Sequence, residues 1–226
     1  MFKTFVFTLT LLFSSLSFSQ AETISPKKAK IVAVKIREIE PSAELLSSMN
    51  TVAPIADVIM TIDNLLALGS KVWSIIEQGR PVVTTNFAQA VSIIPNIDGT
   101  NVVLNNMENW SLPHMISYRI SFVNALDFEV VGFTYTIFFQ HSGSYNGKGK
   151  YITNLKVQAS DVYSMWGSDL TASSELIGIS NIGTLDAPVA SGIIQVSYTA
   201  KGVVNSNVGA RSFFVDGNGH IAPIND

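Results

Sequence analysis

Three histidines, His114, His141 and His220, are the only side chains in this sequence whose ordinary proton affinity lies near neutral pH. Base-assisted hydrolysis would need one of them beside a nucleophile, yet no Gly-x-Ser-x-Gly turn occurs to present a serine. The three lie far apart in sequence, each at a predicted strand start or turn, and read as surface or loop histidines. There is no His-Glu-x-x-His and no cysteine, which removes helical zinc motifs, thiolate metal sites, disulfides and a cysteine nucleophile. No metal and no cofactor is expected.

Other chemical patterns are equally incomplete. The glycines and lysines of Gly143–Lys150 approach a phosphate-binding loop, but the spacing is one residue short and no Ser or Thr follows the lysine, so the segment reads as a hairpin tip. Asp216, Gly217, Asn218 and Gly219 could open a calcium loop, but the later carboxylates are missing and a tight turn is the simpler reading. Glycoside hydrolysis needs two facing carboxylates; Glu108, Asp127, Glu129, Asp161, Asp169 and Glu175 are present, but nothing in their spacing pairs them. The expectation is a protein that is not an enzyme.

Four aromatic residues remain as candidate ligand contacts: Trp110, Tyr145, Tyr163 and Trp166 fall in or near predicted connections, where rings can stack on sugars or rest in a lipid interface. The competing reading is that they close the ends of the core.

The elements that must position these residues are mostly strands. Residues 1–21 read as a cleavable signal peptide: Lys3 is followed by an apolar run from Phe5 to Phe13, and small residues lead to a cleavage point after Ala21. That run is about half the length needed to span a bilayer. The expected destination is secreted or periplasmic. The two remaining stretches, 22–80 and 81–226, are expected to form a single domain.

Within 22–80, Ile31–Ile39 reads as a strand. Pro54–Gln78 carries apolar residues at helical spacing and predicts a long amphipathic helix ended by Gly79 and Pro81. Its apolar arc holds Val58, Ile62, Leu65, Leu66, Gly69, Val72, Trp73 and Ile76, opposite Asp57, Asp63, Asn64 and Lys71. Val58, Ile62, Leu66 and Trp73 are the residues through which such a helix would meet a membrane or a partner.

From Pro81 onward, turn residues recur between β-branched and aromatic runs, predicting strands at 82–93, 102–104, 114–123, 129–140, 150–157, 168–179, 192–204 and 210–215. His114–Val123 alternates Ile116, Tyr118, Ile120 and Phe122 with Ser117, Arg119 and Ser121. Glu129–Gln140 is apolar on both faces and reads as central, with a bulge or bend at Gly132. The fold class expected is mainly β: an antiparallel β-sandwich or flattened barrel of about eight or nine strands with the long helix packed on it. A helix beside a cysteine-free sandwich resembles, in architecture alone, the actinoporin-like pore-forming toxins, and no motif of that family matches.

Composition narrows the partners. The chain is 47% hydrophobic and 14% charged, with net charge −3, which describes a packed protein without the electrostatic footprint of a nucleic-acid binder. The one basic cluster is Lys27, Lys28, Lys30, Lys35 and Arg37. The functional expectation is a secreted or periplasmic binding module for a glycan, an envelope protein or itself. The second reading is a membrane-active, pore-forming-toxin-like protein that deploys helix 54–78 on a membrane surface.

Overall fold

The computed structural model describes residues 30–41, 43, 58–61, 71–77, 80–81, 90–97, 100–101 and 104–224. Their strands are, in chain order, β1 (Ile31–Ile39), β2 (Val58–Thr61), β3 (Lys71–Glu77), β4 (Arg80–Pro81), β5 (Val91–Ile94), β6 (Asn96–Ile97), β7 (Thr100–Asn101), β8 (His114–Asn124), β9 (Glu129–Tyr145), β10 (Lys148–Ser164), β11 (Asp169–Asn181), β12 (Ala190–Lys201), β13 (Ser206–Asp216) and β14 (Ile221–Pro223). They form two facing sheets. The first runs β1-β8-β9-β10-β5 antiparallel, with β2 added in parallel to β5. The second runs β14-β13-β12-β11, extended by β3 and β4, and is antiparallel throughout. A small ribbon, β6-β7, stands apart.

The mainly β architecture and the period-two reading of β8 and β9 hold. Tyr118, Ile120 and Phe122 of β8 and Phe133, Tyr135, Ile137 and Phe139 of β9 are buried. Rings from both sheets interlock: Tyr118 lies 5.1 Å from Phe213, Phe122 lies 5.8 Å from Tyr198, and Tyr135 lies 6.1 Å from Phe213, between centroids. Such offset and edge-on contacts add to the free energy of burying the rings. Arg211 enters this core from β13, with its guanidinium 5.2 Å from the Tyr118 ring and 5.8 Å from that of Phe213, so stacked faces partly replace its water. Burial drives the Tyr135 phenol far above its ordinary value, although the nearby Arg211 charge opposes the rise.

The expected helix over 54–78 is overturned. Val58–Thr61 pairs with Val91–Ile94, and Lys71–Glu77 lies along β11 with Ala172 opposite Trp73. Helical geometry among the described residues is confined to Ala43 and a 3-10 turn at Leu104–Asn106. Both misread stretches are rich in Val, Ile and Thr, which lose rotamer freedom in a helix and fit a pleated surface. A neighbouring sheet edge, invisible to a local pattern, supplies the backbone partners that decide between the two. Ile62, Leu65, Leu66 and Gly69 lie outside the described residues. The resemblance to actinoporin-like toxins rested on that helix and goes with it.

Smaller corrections concern element ends. The expected strand at 102–104 gives way at Leu104 to the 3-10 turn, and 102–103 lie outside the described residues. β9 and β10 each run 17 residues, well past the expected ends at Gln140 and Val157.

Candidate functional site

Two ends of the sandwich differ in chemistry. At the first, three connections lie side by side: residues 125–128 between β8 and β9, 165–168 between β10 and β11, and 202–205 between β12 and β13. They are fastened to one another. Met165 N donates to Val130 O at 2.8 Å, and a Cβ on Gly167 would sit 3.1 Å from the Val203 side chain. Asn205 clamps the start of β1, accepting from Ile31 N at 3.0 Å and donating to Ile31 O at 2.9 Å.

Two bulges shape this end. Phe122 pairs with Val131 and Val123 with Glu129, leaving Val130 extra on β9. Ser160 pairs with Thr134 and Tyr163 with Gly132, so Asp161 and Val162 together oppose Phe133, and Asp161 adopts φ 46°. The second bulge turns Tyr163 onto the outer face beside Gly132, as bulges do where a side chain must be re-aimed. Gly132 leaves space there: a Cβ would meet the carboxylate end of Glu129 and lie 2.8 Å from an Arg119 nitrogen, so any larger residue would push these side-chain ends aside. The bare backbone leaves room for Arg119 to pair with Glu129 across the sheet, while Arg119 also donates to Asp161 O and Ser121 to the other Glu129 oxygen. A shallow hollow of about 530 Å³ results, lined by Arg119, Phe128, Glu129, Tyr163 and Met165. Phe128 is 62% exposed, and Trp166, next along the chain from Met165, is 73% exposed.

The opposite end gathers all three histidines. His114 opens β8, His141 lies near the end of β9 and His220 comes after the turn that ends β13. His114 Nδ1 donates to Gly219 O at 2.8 Å, and its ring lies 6.4 Å from that of His141. His141 Nδ1 meets Ser142 Oγ at 2.8 Å. Asp216, almost fully buried, accepts from Asn218 N at 2.8 Å, His220 N at 3.0 Å and His220 Nδ1 at 2.8 Å. Burial alone would raise Asp216, but the bonds from His220 and Asn218 outweigh it and hold the carboxyl below its usual range. Burial, and after it the neighbouring His114, pushes His141 below its ordinary value. The surrounding bonds, Ser142 N to Gly217 O at 3.0 Å and Lys150 Nζ to Asn218 Oδ1 at 2.8 Å, lock the turn onto the β9–β10 hairpin. Among the described residues no three His, Asp or Glu side chains are placed to hold a metal ion.

The four aromatic candidates therefore do not form one site. Tyr163 lines the hollow, and Trp166 stands next to it in the turn after Met165. Tyr145 lies at the far tip of the β9–β10 hairpin, about 50 Å away along an extended strand. Both Tyr145 and Trp110 are half-buried against the core, and the Trp110 ring lies where a Gly143 Cβ would be, at 2.2 Å. They close the sandwich end, in line with the competing reading. Arg119, Phe128, Glu129 and Met165 are not marked as a group by the sequence pattern. Arg119 alternates with buried Tyr118 and Ile120, which puts it on the outer face, but its meeting with Glu129 depends on the bulge at Val130, two residues before the bulge or bend expected at Gly132. Val58 and Trp73 lie in β2 and β3, and Ile62 and Leu66 outside the described residues.

The fold and this end define an antiparallel β-sandwich with an aromatic surface built on its turns. No family model matches the chain, and no curated protein or solved structure matches it either.

Proposed function

We propose that the chain is an exported, non-enzymatic binding module that meets its partner with the end formed by turns 125–128, 165–168 and 202–205. One observation carries the reading: all three exposed aromatic side chains among the described residues, Phe128, Tyr163 and Trp166, belong to this end, where Phe128 and Tyr163 line an open hollow. Exposed rings grouped on turns held by a rigid scaffold are a costly surface to keep in water and a productive one for contact. The export part rests on the signal-like residues 1–21, and the partner is accordingly sought in the cell envelope, as a glycan, a protein or the membrane surface.

The test is a glycan array together with pull-down from envelope extracts, using the wild type, Tyr163→Ala, Trp166→Ala and Trp110→Ala. The first two variants are expected to fold normally and to lose the partner. Trp110→Ala is expected to lose stability and keep its contact surface. Binding that survives both the Tyr163 and the Trp166 substitutions would refute the placement.

A further inference from the structure

Resting on that binding end, we propose that the partner is the surface of an anionic lipid bilayer, into which the three turn tips dip without crossing it. Six of the fourteen exposed large apolar side chains among the described residues stand on or beside these turns: Leu126 and Phe128, Tyr163 and Trp166, Val203 and Val204. A sugar platform uses one or two rings in a polar frame and has no use for the three exposed aliphatic tips. A bilayer interface accepts both kinds: aliphatic tips enter the acyl boundary, and Tyr and Trp settle at headgroup depth.

Charge supports the same partner. Asp127, at the first tip, is paired with Lys35, and Asp169 lies across the β-ladder from Lys201, so neither carboxylate opposes an anionic surface alone. Glu129 is held by Arg119 behind the rings. Lys30 is exposed immediately before Ile31, which Asn205 fastens to the third turn, and the sequence just before it adds Lys27 and Lys28. Exposed Asp161, on the bulge beside Tyr163, offsets Lys30, so the positive excess of this end comes from Lys27 and Lys28 in the sequence, although the chain as a whole is negative. Lysines near a lipid surface strengthen attachment to anionic headgroups and do so less as salt rises.

The measurement uses protein beginning at Glu22, which keeps every described residue and removes the apolar leader as a source of lipid affinity. It is sedimented with vesicles of phosphatidylcholine alone or of phosphatidylcholine with phosphatidylglycerol. Binding is expected to the anionic vesicles, to weaken with added salt, and to fall roughly tenfold or more in Phe128→Ala and in Trp166→Ala. Thermal melts of both variants should match the wild type, since both side chains are exposed. Failure to bind anionic vesicles, equal binding to both compositions, or full binding by both variants overturns the lipid assignment. If vesicles fail while a glycan or protein is held in a Tyr163- and Trp166-dependent way, only the lipid assignment falls. If no partner of any kind depends on this end, the proposed binding surface falls with it.

Discussion

Removing the Asp216 carboxylate should loosen the histidine end of the sandwich by an amount that can be worked out bond by bond. In Asp216→Ala, the backbone N–H groups of Asn218 and His220 and the ring N–H of His220 lose their acceptor. A buried bond to a charged group contributes about 1.5 to 3 kcal/mol, and the exposed side of the turn lets water recover part of each loss. The total comes to about 2 to 3 kcal/mol, and for a chain of this size that lowers the melting temperature by roughly 4 to 12 °C. Asp216→Asn keeps an oxygen for the two backbone donors and should lose less than half as much. The pH dependence has a definite sign. Because the folded carboxyl is held below its ordinary value of 3.8, its contribution is present above that pH and disappears as pH falls through the depressed value. Melts monitored by circular dichroism at pH 7 and at pH 3 and below should show the gap between wild type and Asp216→Ala closing in acid. A gap under about 1 °C at pH 7, or one unchanged in strong acid, would refute the assignment of the turn's stability to this carboxylate.

Three further outcomes are expected. His141 is held below its ordinary 6.5, so the fold favours the neutral ring and should lose stability as pH falls through that value; urea midpoints at pH 7.5 and 5.5 should differ less in His141→Gln than in wild type. Phe213→Ala removes a fully buried ring between Tyr118 and Tyr135 and should destabilise by about 3 to 5 kcal/mol, measured by urea unfolding. Gly143→Ala should displace the Trp110 ring at a cost of about 1 to 3 kcal/mol, visible as changed tryptophan emission together with a lowered melting temperature.

What can be read from the residues depends on whether the deciding interaction is local. β8 and β9 show their inner faces because Tyr118, Ile120 and Phe122, and Phe133, Tyr135 and Ile137, alternate along strands that turn directly into each other. β2 and β3 do not, because their backbone partners, Val91–Ile94 and Leu170–Ser174, lie about thirty and a hundred residues downstream. In isolation the same residues satisfy a helical period. The meeting of His114 with His141 is within reach of the sequence: the hairpin register puts His114 opposite Phe139, two residues from His141. The arrival of Asp216 and His220 depends on the second sheet closing over the first, and no local spacing announces that. The hollow at Arg119 stays hidden because the residue pattern ends β10 at Val157, which leaves Tyr163 on a loop of unknown direction instead of on a bulged strand.

The grip of Asn205 on Ile31 spans 174 positions of chain. A ribosome makes β1 first, and its ladder neighbour β8 only some eighty residues later. The hairpin that fastens it comes almost last. β1, rich in valine and isoleucine, therefore waits unpaired until β8 is made just past the middle of the chain, and unclamped until nearly the whole polypeptide is synthesised. The last fastening of β1 is thus a late event in the making of the chain, set by the β12–β13 turn and not by the strand's own neighbours in sequence.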